Sequence, residues 1–246
     1  MSVKFAILAV ARSGSSYLTT TLRSHPDIYI HGEIFHENTS VHIQEQARNQ
    51  IDLSIREKSP IKFVREIYNA DQGKKAVGFK IWKSQNLKAV NYIIKRKGIK
   101  KIVLERKNLL ASFSSLMIAR QTQVWNLSPE RATRSTYKTP QIKFNKQAFL
   151  KYARKQLQFY NFYKDEISAS GQDYLLVDYQ KHIMNENLDN VLNFLKLGTQ
   201  FDLTGNKVKL NKQSNILDRF VPEDHQNIIE CLEEMNQTNW VVEYKS

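Results

Sequence analysis

The sequence predicts an α/β protein: a central parallel sheet flanked by helices on both faces. Three observations carry that reading. Short apolar runs alternate with helical patterns along the chain, the order that places crossover helices between parallel strands. The first run, residues 3–11, is apolar throughout except for Lys4, as a strand buried on both faces requires. No internal repeat, low-complexity segment or clear linker interrupts the 246 residues. That length lies within the range of one α/β domain, so 1–246 is expected to form a single domain.

The elements follow in order. After the first strand come Arg12-Ser13-Gly14-Ser15-Ser16-Tyr17-Leu18 and a short helix to about Ser24, ended by Pro26. Asp27–His31 reads as a second short strand running into Gly32-Glu33. Spaced aliphatics in polar sequence over 40–70 predict one or two helices interrupted at Pro60. Ala76–Ile81 is a strand, and Asn86–Lys97 a helix closed by Gly98. Lys101–Glu105 is a central strand. The helix after it takes Asn108 as N-cap and sets Leu109, Phe113, Leu116 and Met117 on its apolar face.

Residues 121–145, with Pro129, Pro140 and many Thr, Ser, Arg and Lys, read as an excursion outside the core. Phe149, Tyr152, Ala153, Leu157, Tyr160 and Tyr163 then recur at helical spacing. They mark a long helix whose aromatics are expected in the core rather than in a base-stacking surface. Tyr174–Tyr179 is another strand, followed by a helix from about Leu188 to Leu197 with Gly198 just past its end. A basic stretch, Lys207–Lys212, leads to a last helix opened by Pro222.

Composition narrows the function. With 41% hydrophobic and 11% aromatic residues the chain is too apolar for disorder. A net charge of +13 and a pI near 9.7 favour an anionic partner. No apolar run approaches 18 residues. The single cysteine, Cys231, excludes an internal disulfide framework and a Cys-rich zinc site, and the six histidines form no HExxH pattern. Lys4 followed by residues 5–11, with Ala9-Val10-Ala11 as a cleavage site, has the outline of a minimal signal peptide. Cleavage there would remove the strand that carries the next motif. A cytoplasmic location is therefore expected, and the lack of paired cysteines agrees with it.

Two constellations carry chemistry. A buried strand, a turn with Gly14 and an immediate helix gather backbone N–H groups and the positive helix end around one point. Ser13, Ser15 and Ser16 add hydroxyls, and Arg12 adds a forked cation. The turn is too short for the Walker pattern, and no Lys follows Gly14. Second, Arg106 stands just past a buried strand, where ligands collect. Ser114 lies eight positions on, in the following helix.

Here the chain resembles the sulfotransferases that use 3′-phosphoadenylyl sulfate (PAPS). Arg12-Ser13-Gly14-Ser15-Ser16 after an apolar strand resembles their 5′-phosphosulfate loop. Leu104-Glu105-Arg106 with Ser114 is similar to their 3′-phosphate site. Val77-Gly78-Phe79-Lys80 resembles the middle strand, and Leu176-Val177-Asp178-Tyr179 with Val191-Leu192-Asn193-Phe194-Leu195 a later region. Lys212-Gln213-Ser214 resembles the late basic segment over the 3′-phosphate. The motifs run in the family's order over nearly the whole chain apart from about 40–75 and 121–145. The match is nearer the bacterial and carbohydrate-type branch: the cytosolic branch has Lys where this chain has Arg12, and its late glycine-rich loop is absent.

The resemblance implies a P-loop-like fold, PAPS as co-substrate with no metal, and a carbohydrate or small-molecule acceptor. Arg12 through Ser16, with Tyr17, would hold the 5′-phosphosulfate. Arg106, Ser114, Lys212, Gln213 and Ser214 would hold the 3′-phosphate. Tyr179 would line the adenine pocket or serve as a core tyrosine. Glu33, in His31-Gly32-Glu33-Ile34-Phe35-His36, would be the base, with His36 and His31 as alternatives. Lys80 would orient the sulfonate or the acceptor. Outside the resemblance, Trp125, Tyr137 and the basic residues of 121–145, together with 34–60, are expected to form a lid over the acceptor.

Two other classes compete. A P-loop-like nucleotide kinase lacks its Walker lysine here. A nucleic-acid-binding module rests on the charge alone, which is spread along the chain without a reader motif. A membrane-surface role would need a helix with a basic face opposite a large Trp/Leu face, and none is written in the sequence.

Overall fold

The computed structural model describes residues 2–125, 140–199 and 214–243. The chain gathers into two compact units, 1–105 with 159–205 and 106–158 with 206–246.

The first unit holds the sheet. Its strands are β1 (Val3–Leu8), β2 (Ile28–Glu33), β3 (Ala76–Ile81), β4 (Ile99–Glu105) and β5 (Tyr174–Asp178). They lie in the order β2-β3-β1-β4-β5, and every pair is parallel. The chain builds β2 and β3 on one side of β1 and β4 and β5 on the other. The carboxyl end of β1 is therefore the point where the order reverses, the place where open α/β sheets bind ligands.

Side chains of β1 alternate between two cores. Phe5 and Ile7 pack with Leu18 and Leu22 of α1 (Ser15–Arg23) and, further along the chain, Val191 and Leu192. Ala6 and Leu8 face the opposite side. There they meet Phe63 and Ile67 of α4 (Pro60–Asn69) and Ala89 and Ile93 of α5 (Leu87–Lys95). Both faces are covered, which is why β1 reads as a continuous apolar run. Each large apolar side chain so buried contributes about 1.5–3 kcal/mol. Two short helices, α2 (Thr39–His42) and α3 (Ile55–Lys58), precede α4.

Several boundaries differ from expectation. Pro60 opens α4 instead of interrupting a helix, because its fixed φ and missing N–H suit a first turn. Gly98 does not close α5: the chain turns extended at Arg96 and enters β4 at Ile99. Further on, α8 (Asp189–Phe194) stops before Leu197, and the left-handed residue near its end is Lys196, at φ 61°, not Gly198.

In the second unit, α6 (Leu109–Thr122) is buried on nearly all sides from Leu109 to Leu116. Asn108 caps it, its Oδ1 accepting from Ala111 N at 2.9 Å. Phe113 packs on Phe149 and Tyr152 with ring centroids 5.4 and 5.5 Å apart, and Phe144 on Phe220 at 5.8 Å. The long helix α7 (Lys146–Ala169) begins here and continues into the first unit. Along it Phe149, Ala153, Tyr160 and Tyr163 are buried, but Leu157, expected in the core, is 46% exposed. Gln156 takes the inward position instead. The end of the expected excursion is also inside: Ile142 and Phe144 are buried, and Ile142 exchanges backbone bonds with Arg219 and Val221. Tyr137 lies outside the described residues. Pro222–Asp224 forms a short 3₁₀ turn that leads into the last helix, α9 (His225–Glu234). No helix among the described residues is long and apolar enough to cross a membrane.

Candidate active site

β1 ends at Leu8 and releases the chain into the turn at the switch point. Tyr163 fixes this exit: its hydroxyl donates to Ala9 O at 3.2 Å and accepts from Lys83 N at 2.6 Å, tying the ends of β1 and β3 together. The turn then takes two left-handed residues, Arg12 at φ 64° and Gly14 at φ 91°. Gly14 is needed twice over. Its φ disfavours any side chain, and a Cβ there would lie 2.5 Å from Cδ2 and Cε2 of the Tyr179 ring. Gly14 is also the N-cap of α1, and no side chain caps that helix. The first-turn amides and the positive helix end could hold an anion.

The three serines divide their work. Ser13 is fully buried and spends its hydroxyl on Val10 O at 2.8 Å, which closes the turn. Ser15 is buried, and its carbonyl accepts from the Thr19 hydroxyl. Ser16 alone among them meets a charged group: Lys80 Nζ lies 2.9 Å from its Oγ.

Lys80 comes from the end of β3 and is only 4% exposed. Its ammonium also lies 3.0 Å from Glu33 Oε1, and Glu33 is 7% exposed. Gln85 Nε2 donates to the other carboxylate oxygen at 2.8 Å, while Gln85 Oε1 accepts from Trp82 N. A bulge in β2 makes this pair. Ile30 stands opposite Gly78, but Glu33 stands opposite Lys80, so β2 spends one extra residue there. Such an insertion re-aims the side chains after it. Burial lowers the pKa of the Lys80 ammonium; the Glu33 charge and hydrogen bond oppose that, and Arg23 and Arg12 add to it.

The histidines are placed differently. His31 is fully buried; Nδ1 accepts from Gln44 N at 3.2 Å, and Nε2 has no hydrogen-bond partner. Its pKa is lowered to about 4, first by burial and then by Arg23. With its lone pair already given to a backbone amide, the ring is a neutral donor at Nε2. His36 is half-buried, and its Nδ1 accepts from Asn38 N at 3.1 Å. His42 packs against it with the rings tilted by 54° and centroids 4.7 Å apart. The His42 ring lies against Gly32, where a Cβ would come within 2.8 Å of Nδ1. Burial lowers the pKa of His42, Glu33 raises it, and His36, Lys80 and Arg23 lower it further.

Tyr179, besides covering Gly14, opens a π-helical turn over Tyr179–Met184 that Asp178 caps with bonds from Gln180 N and Lys181 N. Tyr17 donates its hydroxyl to Glu186 Oε1 at 3.1 Å.

The second unit treats its expected anion residues in its own way. Arg106 and Ser114 each have a different internal partner. Arg106 forks onto Glu243, Nε to Oε1 at 2.8 Å and Nη2 to Oε2 at 2.5 Å. Ser114 is fully buried, donates to Ala111 O and receives Arg219 Nη1 at 3.1 Å. Trp125 is 44% exposed. Ser214 contributes its carbonyl to Glu243 N, and Lys212 and Gln213 lie outside the described residues.

Four residues escaped the sequence reading: Gln85, His42, Arg219 and Glu243. Gln85 and His42 carry no motif; only the strand ends reveal them. A buried Arg219 beside a buried serine leaves no local signal at all. Among the described residues no group of three or more His, Cys, Asp or Glu side chains converges on a metal position.

No family model matches the chain. It is 31% identical over 124 residues to Nodulation protein H of Rhizobium meliloti (strain 1021), a match covering 49% of this chain and 49% of that protein. The chain therefore spans about half the length of the curated relative it matches. The crystal structure of mouse sulfotransferase SULT7A1 complexed with PAP superposes over 96% of this chain and 85% of that one, with TM-score 0.50 and 14% identity. A sulfotransferase from Alicyclobacillus acidocaldarius covers 98% of this chain and 99% of its own, with TM-score 0.46 and 14% identity. Five parallel strands with helices on both faces, matched by the mouse enzyme over nearly the whole chain, give this protein the fold of the sulfotransferases.

Proposed function

We propose that the chain transfers the sulfuryl group of PAPS to a hydroxyl or amine of a carbohydrate or small-molecule acceptor. One observation carries the reading. At the switch point a buried lysine contacts both the first turn of an uncapped helix, through Ser16, and a buried carboxylate, Glu33. An anion at the helix end, a cation beside it and a carboxylate beyond are what in-line group transfer to a proton-bearing acceptor needs. Support for the donor comes from the motif order in the sequence and from a same-fold enzyme crystallised with PAP.

In this reading the α1 amides, Arg12 and Ser16 hold the phosphosulfate. The acceptor oxygen or nitrogen attacks sulfur as the bond between sulfur and the bridging phosphate oxygen breaks. The acceptor's proton passes to Glu33, and the bridging oxygen leaves with its electron pair on adenosine 3′,5′-bisphosphate (PAP). Arg12 stays protonated and neutralises that oxygen by hydrogen bonding rather than by giving up a proton. Positioning and charge stabilisation supply most of the acceleration, as in loose phosphoryl transfer. Glu33 is preferred over His31, whose lone pair serves Gln44.

The resemblance assigns the 3′-phosphate to Arg106 and Ser114. Their present partners, Glu243 and Arg219, make that part of the assignment dependent on exchange of Glu243 for phosphate. Calorimetric titration with PAP, with ADP as control and no added magnesium, tests the donor. Micromolar or tighter binding of PAP and much weaker binding of ADP is expected. Binding of ADP only, or of neither, overturns the proposal.

A further inference from the structure

Both oxygens of Glu33 are engaged, Oε1 with Lys80 at 3.0 Å and Oε2 with Gln85 at 2.8 Å. A base must present a lone pair to the proton it takes. Each oxygen keeps a further lone-pair site, but in so buried a carboxylate an acceptor gains room when one of the two donors moves off. Gln85 is itself fixed by Trp82 N and is neutral, so an arriving anion draws it less than it draws an ammonium. Lys80 is placed otherwise. Its ammonium carries three donors, and one already rests on Ser16, a neutral hydroxyl in the first turn of α1.

An anion seated at that helix end would put a full negative charge within reach of the same ammonium. A charge-assisted bond to it is stronger than the bond to a neutral hydroxyl. In a site this buried, one cation between two anions is drawn toward the more highly charged of them. We infer that Lys80 is handed from Glu33 to the anion bound at the α1 N-terminus, so that arrival of the donor is what releases Glu33 to act as base. With the donor absent, Glu33 is held as an ion pair. The inference rests on the reading above, that an anion binds this turn, and adds the order in which the site is armed. Lys80 is here a positioning residue for Glu33.

The arrangement has a thermodynamic consequence. Anion affinity in the parent includes the cost of taking Lys80 from Glu33. Removing the Glu33 charge removes that cost.

The test is an NMR titration of the full chain labelled with ¹⁵N-lysine and ¹³Cδ-glutamate. Inorganic phosphate is added in one arm and PAP in the other, and Glu33→Gln and Lys80→Met assign the two signals. The Lys80 Nζ and Glu33 Cδ resonances should move together along one binding curve in either arm. Glu33→Gln should bind the same anions several-fold tighter than the parent. A Glu33 Cδ signal that stays put at saturation while Lys80 shifts overturns the hand-over, as does equal or weaker binding by Glu33→Gln. If Lys80→Met fails to fold, Lys80→Arg assigns the lysine signal and the Glu33→Gln comparison still decides. Binding of phosphate without PAP would sink the sulfotransferase reading and leave the hand-over to be judged on the phosphate arm. Binding of neither defeats both.

Discussion

Arg106 and Glu243, 137 residues apart in the chain, form a two-point ion pair inside the second unit, with bonds of 2.8 and 2.5 Å. Neither is more than 7% exposed. Asn108 fastens the same segment, donating to Trp240 O and Val242 O. A buried pair costs most when only one partner is lost, because the survivor keeps its charge without its counter-charge. Glu243→Leu should lower the unfolding free energy by about 3–5 kcal/mol, read by urea denaturation. Arg106→Met with Glu243→Leu should recover most of that loss. A single variant as stable as the parent would show that the pair is not formed in solution.

Arg12→Ala should reduce sulfuryl-transfer turnover about a hundredfold to a thousandfold, the usual cost of one donor to a developing oxyanion. Turnover within tenfold of the parent would remove Arg12 from the leaving-group role. Glu33→Gln should abolish transfer without weakening PAP binding. If that variant remains active, His42, which feels the Glu33 charge, and His36, packed against it, become the candidates for the base.

Gln85→Leu keeps the size of the side chain and deletes the bond to Glu33 Oε2. The carboxylate then has one anchor and samples orientations away from the acceptor. Its turnover should fall about tenfold to a hundredfold while the affinity for PAP stays unchanged, and Gln85→Asn should recover little because its amide is one methylene short. Steady-state kinetics with calorimetry separates the two effects. A fall in PAP affinity would mean that Gln85 supports the turn and not Glu33.

What the sequence made legible here was whatever is local. A parallel strand buried on both faces must be apolar throughout, and residues 3–10 are apolar apart from Lys4. A side chain that caps its own helix leaves a signature three residues long, and Asn108 fits it. Gly14 was legible as part of a turn, but the Tyr179 ring against it was not, because that ring arrives from beyond β5. The Glu33–Lys80 pair was hidden further. Both residues are candidates on the sequence alone, yet only the bulge in β2 sets them opposite one another, and Gly32 is its single trace in the sequence. Arg106 could be placed at a strand end, but nothing near it in sequence announces Glu243. Leu157 failed for a simpler reason: an apolar residue on a long helix fits either side of a phase boundary, and Gln156 takes the interior.

His31 gives the fold a pH dependence of its own. The ring is enclosed, set edge-on to Tyr29 with centroids 5.0 Å apart, and bonded through Nδ1 to Gln44 N. Burial first, and the Arg23 charge second, lower its pKa from 6.5 to about 4. The unfolded chain takes a proton on this ring near pH 6.5, whereas the folded chain refuses it until about pH 4. Between those values the unfolded state binds more protons, so stability falls as the pH falls. Above about 6.5 and below about 4 this group contributes no slope. Across the window the loss amounts to about 3 kcal/mol. Urea denaturation at a series of pH values should show that decline in the parent and a shallower one in His31→Leu, whose difference from the parent isolates this ring from the carboxylates that titrate beside it. Equal slopes in the two proteins would place His31 in contact with water.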